Sequence, residues 1–388
     1  LNELYLISLL KIHQRFLCAT LLRLYAPRAR IFHQFWFFVY DRDLYRLHFV
    51  EPLNRFAHLQ KNMQTPVPAS TQWEVVRDRA EELQPVYDEL VRRAADGRVV
   101  HNDDTHARIL AFMGERRADL IKAGELPNPE RTGLFTTGVV ADTSDGAIAL
   151  FFTGRQHAGE NLADVLAERA QKLGPPIQMC DGLDRNLPKG HDVVLANCLC
   201  HGRRQFVDEA NNFPAECRHV LQELRIVFRT EAKCRRQKLA PEQRLALHQR
   251  ESVPVMERLK SWMKAELDDK RVEPNSGLGK AFNYLLARWG PLTLFLRAAG
   301  APLENNICER ALKMAIRHRN NSLFYRSERG ADVGDLYMTL IHTAQLHGEN
   351  AFEYLTALLR HASNVADDPA AWLPWSYRAT LAAAKRAA

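Results

Sequence analysis

From Glu51 onward the apolar positions fall into an orderly series of periods, and the period changes along the chain. Residues 52–62 carry helical spacing, and Thr65-Pro66-Val67-Pro68 breaks it. Thr71 followed by Glu74 then forms a capping-box signature for a helix running to about Ala95. Runs rich in Val, Ile, Phe and Thr come next: 98–105, which starts apolar and ends in carboxylates, then 133–141 and 147–153. The turn Asp142-Thr143-Ser144-Asp145-Gly146 joins the last two as a hairpin. Helical spacing returns at 160–172, and Pro176–Cys180 and His191–Cys198 read as two more strands. Strands, a helix, then further strands predict a mixed α/β sheet. Beyond Phe206 the pattern is helical, in segments near 206–240, 242–268, 278–296, 306–318, 332–347 and 351–363 separated by Pro, Gly or Asn. The tail after Asn364, with Trp372 and Trp375 among prolines, is expected to be a loosely packed cap.

Two stretches stand apart. Residues 1–50 mix aromatic and basic residues with Glu3, Asp41 and Asp43 as their acids, in a loosely helical pattern. Residues 51–97 hold a helix, a break and a capped helix. That arrangement fits a DNA-reading helix-turn-helix, but the break exceeds the usual three or four residues and so favours two packed helices.

The 388 residues suffice for two or three domains with a sizeable core. Net charge is +7, a modest surplus that suits a polyanionic partner such as nucleic acid. Seven cysteines in irregular spacing argue against a disulfide framework and for a reducing cytoplasm. No uncharged window of about 18 residues predicts a membrane span; Lys11, Arg15 and Arg23 interrupt the nearest one. No signal peptide is readable, and the chain opens on Leu1.

Three acidic positions stand out by placement. Asp103 and Asp104 end the first predicted strand, Asp181 ends a later one, and Glu309 opens a late helix. Carboxylates at strand ends converge at one edge of an α/β sheet, where ligands normally bind. Brought together they need cations, and hard oxygen ligands suit Mg²⁺ or Mn²⁺. Two such ions about 3.5–4 Å apart clamp the attacking and leaving oxygens of a phosphodiester. Each acid also has a plainer explanation: an Asx turn at Asp104, a turn at Asp181-Gly182, and an N-cap pair made by Asn306 with Glu309. Cys198, Cys200 and His201 lack a second ligand pair, so zinc is not expected, and two buried thiols at a strand end are. Arg203 and Arg204 follow as candidate phosphate ligands. A basic run with Phe324 and Tyr325 interleaved, namely Lys313, Arg317, His318, Arg319, Arg326 and Arg329, surrounds Glu309 and suits a DNA backbone. Lys233, Arg235, Arg236 and Lys238 form a second basic stretch.

These motifs are recognisable together. The chain resembles the transposases of the insertion sequence 66 family in His101-Asn102-Asp103-Asp104-Thr105, in residues 154–161 (GRQHAGEN), in Gln178-Met179-Cys180-Asp181-Gly182, in residues 198–206 (CLCHGRRQF), in residues 305–312 (NNICERAL) and in Leu340-Ile341-His342-Thr343-Ala344. The resemblance covers about 51–385. It implies a DDE transposase with an α/β, ribonuclease H-like catalytic core at 98–345, a helical insertion at about 207–296, and helical N- and C-terminal regions, the latter at 346–388. On that template Asp103, Asp181 and Glu309 are the catalytic acids and hold two Mg²⁺ or Mn²⁺ ions, with Asp104 as the alternative to Asp103. Implied too are metal-dependent strand cleavage and strand transfer without a covalent enzyme intermediate, DNA element ends and target DNA as partners, a homo-oligomer on DNA, accessory proteins of the element, and a bacterial cytoplasmic, nucleoid-associated location.

Three departures accompany the resemblance: Glu304-Asn305-Asn306 stands for the family's DNN, Arg319-Asn320-Asn321 for its RKN, and residues 1–50 contain Cys18 but no zinc element. A truncated or frame-disrupted copy with an intact catalytic core is therefore expected. Two rivals are a nuclease with the same core and a DNA-binding remnant without catalysis.

The basic run generates a first prediction. Replacing two of Lys313, Arg317, Arg319 and Arg326 should weaken DNA binding across all sequences and flatten its salt dependence by roughly one unit of slope per lost contact. Binding titrations across a salt series measure this; an unchanged slope returns the run to ordinary solvated surface.

Overall fold

The computed structural model describes residues 68–387. Chain contacts define a main unit, Val76–Ile316 with Phe324–Ala388, and a second unit that includes Arg317–Leu323. The sheet and every acid considered above lie in the main unit. The segment 1–50, the helix expected over 52–62 and most of the break after it lie outside the described residues.

Helix α1 (Ala69–Ala95) leads into β1 (Val99–His106), and β2 (Phe135–Thr143) and β3 (Gly146–Gly154) follow as the expected hairpin. Thr143 pairs with Gly146, which leaves a two-residue loop, and Gly146 takes φ +120, a conformation that side-chain-bearing residues rarely adopt. Helix α3 (Ala158–Ala167) then crosses to β4 (Ile177–Cys180) and β5 (Val194–Asn197). The strand order is β3-β2-β1-β4-β5, with β1, β2 and β3 antiparallel and β4 and β5 running parallel to β1.

Side chains alternate across a strand, so β1 serves two layers. One face meets α3, whose Asn161 amide bonds the Thr137 hydroxyl at 2.8 Å. The other meets α10 (Asn306–Ser322), where Leu312 and Cys308 press on Gly138; a Cβ at Gly138 would lie 3.0 Å from Leu312.

The outer edge of β3 is closed by α11 (Glu328–Leu346) rather than by another strand. Thr343, Thr339 and Asp335, spaced four residues apart, accept from the backbone N–H of Ala149, Phe151 and Thr153, spaced two apart. Four helical residues rise about 6 Å and two strand residues about 6.8 Å, so the two repeats stay nearly in step. An edge that would otherwise expose unpaired donors is thereby satisfied.

Between β5 and α10 the chain is all helical: α4 (Leu199–Asp208), α5 (Pro214–Arg236), α6 (Pro241–Glu251), α7 (Val253–Asp268), α8 (Gly277–Ala287) and α9 (Trp289–Leu292). Their apolar faces, among them Leu224, Val227, Met256, Leu259, Phe282 and Leu285, form a core of their own. Prolines set two of the boundaries that the pattern had merged: Pro214 opens α5 and Pro254 opens α7.

The structure departs from expectation in three places. Helix α2 (Gly114–Lys122) was not foreseen; it buries no residue, so it carries no apolar period to read. Helix α3 ends at Ala167 rather than near 172. The tail is not loose: Trp372, Leu373 and Tyr377 are fully buried, and the Tyr354 hydroxyl bonds the Trp372 carbonyl at 3.0 Å behind α12 (Ala351–Arg360). The prolines break the helical period there without exposing the aromatic rings. Among the described residues no helix is long and apolar enough to cross a membrane.

Burial pushes the Asp335 carboxyl up to about 8, against the opposing hydrogen bonds from Thr153. A carboxyl raised above its unfolded value contributes stability that is fully present below about pH 4 and lost as pH rises through 8. Asp335→Asn, which can keep both Thr153 bonds, should therefore raise the thermal midpoint relative to wild type at pH 9 and not at pH 4. Paired melting curves at the two pH values check this.

Candidate active site

The site is built where β1 and β4 end side by side. His101 and Asp103 face the α10 side of the sheet; Asn102 and Asp104 face the α3 side. Asp103 is half-buried and accepts one hydrogen bond, from the Asp104 backbone N–H at 2.9 Å. Burial pushes its carboxyl up to about 7, that hydrogen bond opposes the shift, and the charges of Asp181 and Asp104 add to it while His201 offsets them. The interaction places Asp103 and Asp181 in one electrostatic neighbourhood.

Asp181 follows β4 directly. Its Oδ1 accepts from the Asn186 amide at 2.7 Å and from the Leu183 N–H at 3.0 Å, and its backbone carbonyl accepts from the Tyr284 hydroxyl at 3.0 Å. The loop after it turns at Gly182, φ +86, and is pinned from below, where the Asn186 carbonyl receives the side-chain amides of Asn102 at 2.8 Å and Gln178 at 2.6 Å.

Glu309 lies in the first turn of α10, 3.9 Å from His201 Nε2. The backbone N–H groups of Cys308 and Glu309 point to the Asn305 carbonyl, so Asn305, and not Asn306, occupies the cap position. Its side chain is spent elsewhere. Asn305 Oδ1 accepts from His101 Nδ1 at 3.0 Å, Nδ2 donates to the Asn102 carbonyl at 3.2 Å, and its backbone N–H meets Cys198 Sγ at 3.2 Å. Burial keeps His101 neutral by lowering its pKa.

Among the described residues, ligand atoms gather within 4.8 Å of one another in Cys198–His201–Glu309 and in Glu231–Cys234–His248. Glu309 thus sits closest to a thiol and an imidazole rather than directly on the two aspartates. In the second group Glu231 is already neutralised by Arg235 at 2.9 Å and Arg244 at 2.8 Å, an ion-pair network rather than an open ligand set.

The other expected residues separate. Asp104 is on the far face from Asp103, held by His157 at 3.1 Å and Arg185 at 3.3 Å. Cys198 is buried, but Cys200 is only partly so and donates to Glu304 at 3.3 Å. Arg203 and Arg204 are exposed on α4, and Lys313 is exposed on α10 one turn after Glu309. Arg326 is exposed in the loop before α11, and Arg317 and Arg319 lie on the last turns of α10. Two of the second basic stretch are committed to ion pairs, Lys233 with Glu251 at 2.8 Å and Arg235 with Glu304 at 2.7 Å.

The pattern of the Transposase IS66 family matches residues 44–333. The chain belongs to that family. An uncharacterised protein y4jD of Sinorhizobium fredii (strain NBRC 101917 / NGR234) is 32% identical over 190 residues, 48% of this chain and 36% of its own length. A second from the same organism, y4qI, is 26% identical over 310 residues, 76% of this chain and 54% of its own. The chain thus spans about a third to a half of these relatives. No solved structure matches it.

Within this IS66-family chain, three neighbours of the acids gave no sequence signal for a role at the site. His201 was read only as part of a weak zinc motif, yet it lies 3.9 Å from Glu309 and interacts electrostatically with both aspartates. Tyr284 and Arg288 come from α8 and its end; the Arg288 guanidinium lies 4.4 Å from the Tyr284 ring, and a Cβ on Gly182 would be 3.2 Å from Arg288 Nε. Nothing in the helical period marks residues that reach back from an insertion.

Asn305 is the joint of the site. Asn305→Ala should leave His101 Nδ1 and the Asn102 carbonyl unpaired in a buried place and cost at least about 2 kcal/mol of stability. Denaturant unfolding measures it; a loss under about 0.5 kcal/mol, the range of an ordinary surface change, removes Asn305 from that role.

Proposed function

We propose that this chain is the catalytic part of a DDE transposase, cutting DNA at element ends and joining the freed 3′ end to target DNA. The observation that supports the reading is that Asp103 and Asp181 follow one another at the ends of adjacent parallel strands and interact electrostatically, and that His201, 3.9 Å from Glu309, interacts with both aspartates. A five-stranded mixed sheet with helices on both faces and acids on its central strands supports a ribonuclease H-like core.

The donor set fits hard divalent ions. Among the described residues, Asp103 and Asp181 each keep one carboxylate oxygen without a protein donor. Neighbouring like charges call for a cation, which Asp103, Asp181 and Glu309 would hold; Mg²⁺ or Mn²⁺ suits oxygen ligands. Bound there, divalent ions would activate the attacking oxygen and stabilise the leaving one. The chain's own residues orient: Asn186 and Tyr284 fix Asp181 and its carbonyl, Asn305 fixes the start of α10, and His201 holds a donor beside Glu309. Arg288 beside Tyr284, exposed Arg203 and Arg204 after His201, and exposed Lys313 one turn after Glu309 would supply positive charge for the phosphate backbone.

Asp181→Asn and Glu309→Gln should each lower metal-dependent nicking and joining of element-end DNA by roughly a thousandfold. The fold should persist, because like charge is relieved and Glu309 makes no cap bond. An in vitro strand-transfer assay with Mg²⁺ or Mn²⁺ tests the reading. Nicking without joining would make the chain a nuclease, and neither activity would make it a DNA-binding remnant.

Metal binding has its own readout. At a hundredfold excess over its dissociation constant, Mn²⁺ should stabilise the fold by about 2.7 kcal/mol. Asp181→Asn should lose most of that gain in a thermal-shift titration, and an equal gain in the variant would place the ion elsewhere.

A further inference from the structure

Helix α5 sorts its charges by side. Cys217, Val220, Leu224, Val227 and Cys234 enter the core of the helical region. On another side Arg218, Arg225, Arg229 and Arg236 recur at intervals of seven, four and seven residues, and all four are exposed. At about 100° per residue they fall within roughly 40° of one another, in a line about 27 Å long. The acids of the helix, Glu216, Glu223 and Glu231, fall on the opposite half of its circumference.

Exposed arginines on the neighbouring helices are matched with acids. Arg250 on α6 pairs with Glu251 at 3.2 Å, and Arg258 on α7 with Glu223 at 3.0 Å. Arg271, just after α7, pairs with Glu266 at 3.0 Å and Asp269 at 2.6 Å. Among the described residues, none of the four arginines on the α5 line makes a side-chain hydrogen bond or an ion pair. A guanidinium keeps its charge at every relevant pH, so the line is a fixed row of positive charge. It lies in the same unit as the acids, and Arg235 of α5 is bonded at 2.7 Å to Glu304, the residue before Asn305.

We propose that the arginine line of α5 is a docking surface for double-stranded DNA, which it holds by phosphates without reading sequence. Its length corresponds to about eight base-pair steps of a duplex, and the guanidinium fork matches a phosphate. Besides arginine the line holds Gln222 and Ala232, with Ile226 to one side. It therefore lacks the aromatic platforms on which single strands stack and the large buried anchor around which protein interfaces are built. The inference deepens the transposase reading and rests on DNA being the substrate. The line positions a duplex relative to the acids and takes no part in the reaction.

The test uses the full chain, a labelled duplex of element-end sequence and a scrambled duplex, in EDTA to stop cleavage. The double variant Arg225→Gln, Arg229→Gln should weaken binding of both duplexes alike, roughly tenfold at low salt, and lower the salt slope by about two units. Arg218→Gln, Arg236→Gln, at the ends of the line, should do the same. Arg225→Lys, Arg229→Lys should keep the slope, since it keeps the charge. Arg258→Gln, Arg271→Gln removes as much charge from paired arginines and should keep the wild-type slope; melting midpoints confirm that each variant is folded. A wild-type slope in both pairs of line variants overturns the docking surface. Losses as large in Arg258→Gln, Arg271→Gln also overturn it, because net charge alone would then explain them. Polyglutamate that displaces the duplex as readily as unlabelled duplex does, at equal charge, would assign the line to an acidic protein instead. If Asp181→Asn and Glu309→Gln cut and join DNA like wild type while the line variants lose their slope, the catalytic reading fails and the docking surface stands. If the acids matter and the slopes do not move, the docking surface fails alone. A wild-type chain that binds neither duplex overturns both.

Discussion

One buried amide ties together the elements that carry Asp103, Asp181 and Glu309. Asn305 joins the start of α10 to β1 through His101 and the Asn102 carbonyl, and to the end of β5 through Cys198. Asn102 in turn reaches the Asn186 carbonyl below the loop that orients Asp181. Buried polar groups are costly unless bonded, so the bonds of Asn305 favour this arrangement of helix, strand and loop. Asp103, Asp181 and Glu309 are far apart in sequence, and each hangs from a different arm of this network.

That rigidity is set against an electrostatic cost. Asp103 is held half-buried beside Asp181 with one hydrogen bond, a state that disfavours its charged form. A fold selected for stability alone would pair that carboxylate with a cation of its own, as Glu231 is paired with Arg235 and Arg244. The two carboxylate environments in one chain differ: Glu231 has two arginines of its own, while the neighbouring charges at Asp103 include the like-charged Asp181 and Asp104.

Much of this was legible beforehand. Short runs of apolar and β-branched residues located the five strands of the described sheet, and the strand-end position of Asp103 and Asp181 was visible because apolar runs stop at them. What escaped has physical causes. Helix α2 buries nothing, so its period is silent. The packed tail hides behind prolines, which signal a break in helix and not a loss of burial. The choice between Asp103 and Asp104 needed the sheet register: adjacent residues on a strand point to opposite faces, and only the neighbours on each face show which carboxylate meets Asp181. Asn305 read as one member of an Asn-Asn pair before a helix, because a cap and a cross-link use the same residue type. Tyr284 and Arg288 depend on how the helices between β5 and α10 fold back on the sheet, which local sequence does not encode.

The α11 ladder along β3 has a consequence for assembly. With Asp335, Thr339 and Thr343 occupying its donors, that border of the sheet offers no row of free amides to a strand from another molecule. A second copy of this chain cannot extend the sheet across β3. Contact on that side has to be made by helix surfaces, which can be separated and re-formed without unzipping a backbone ladder.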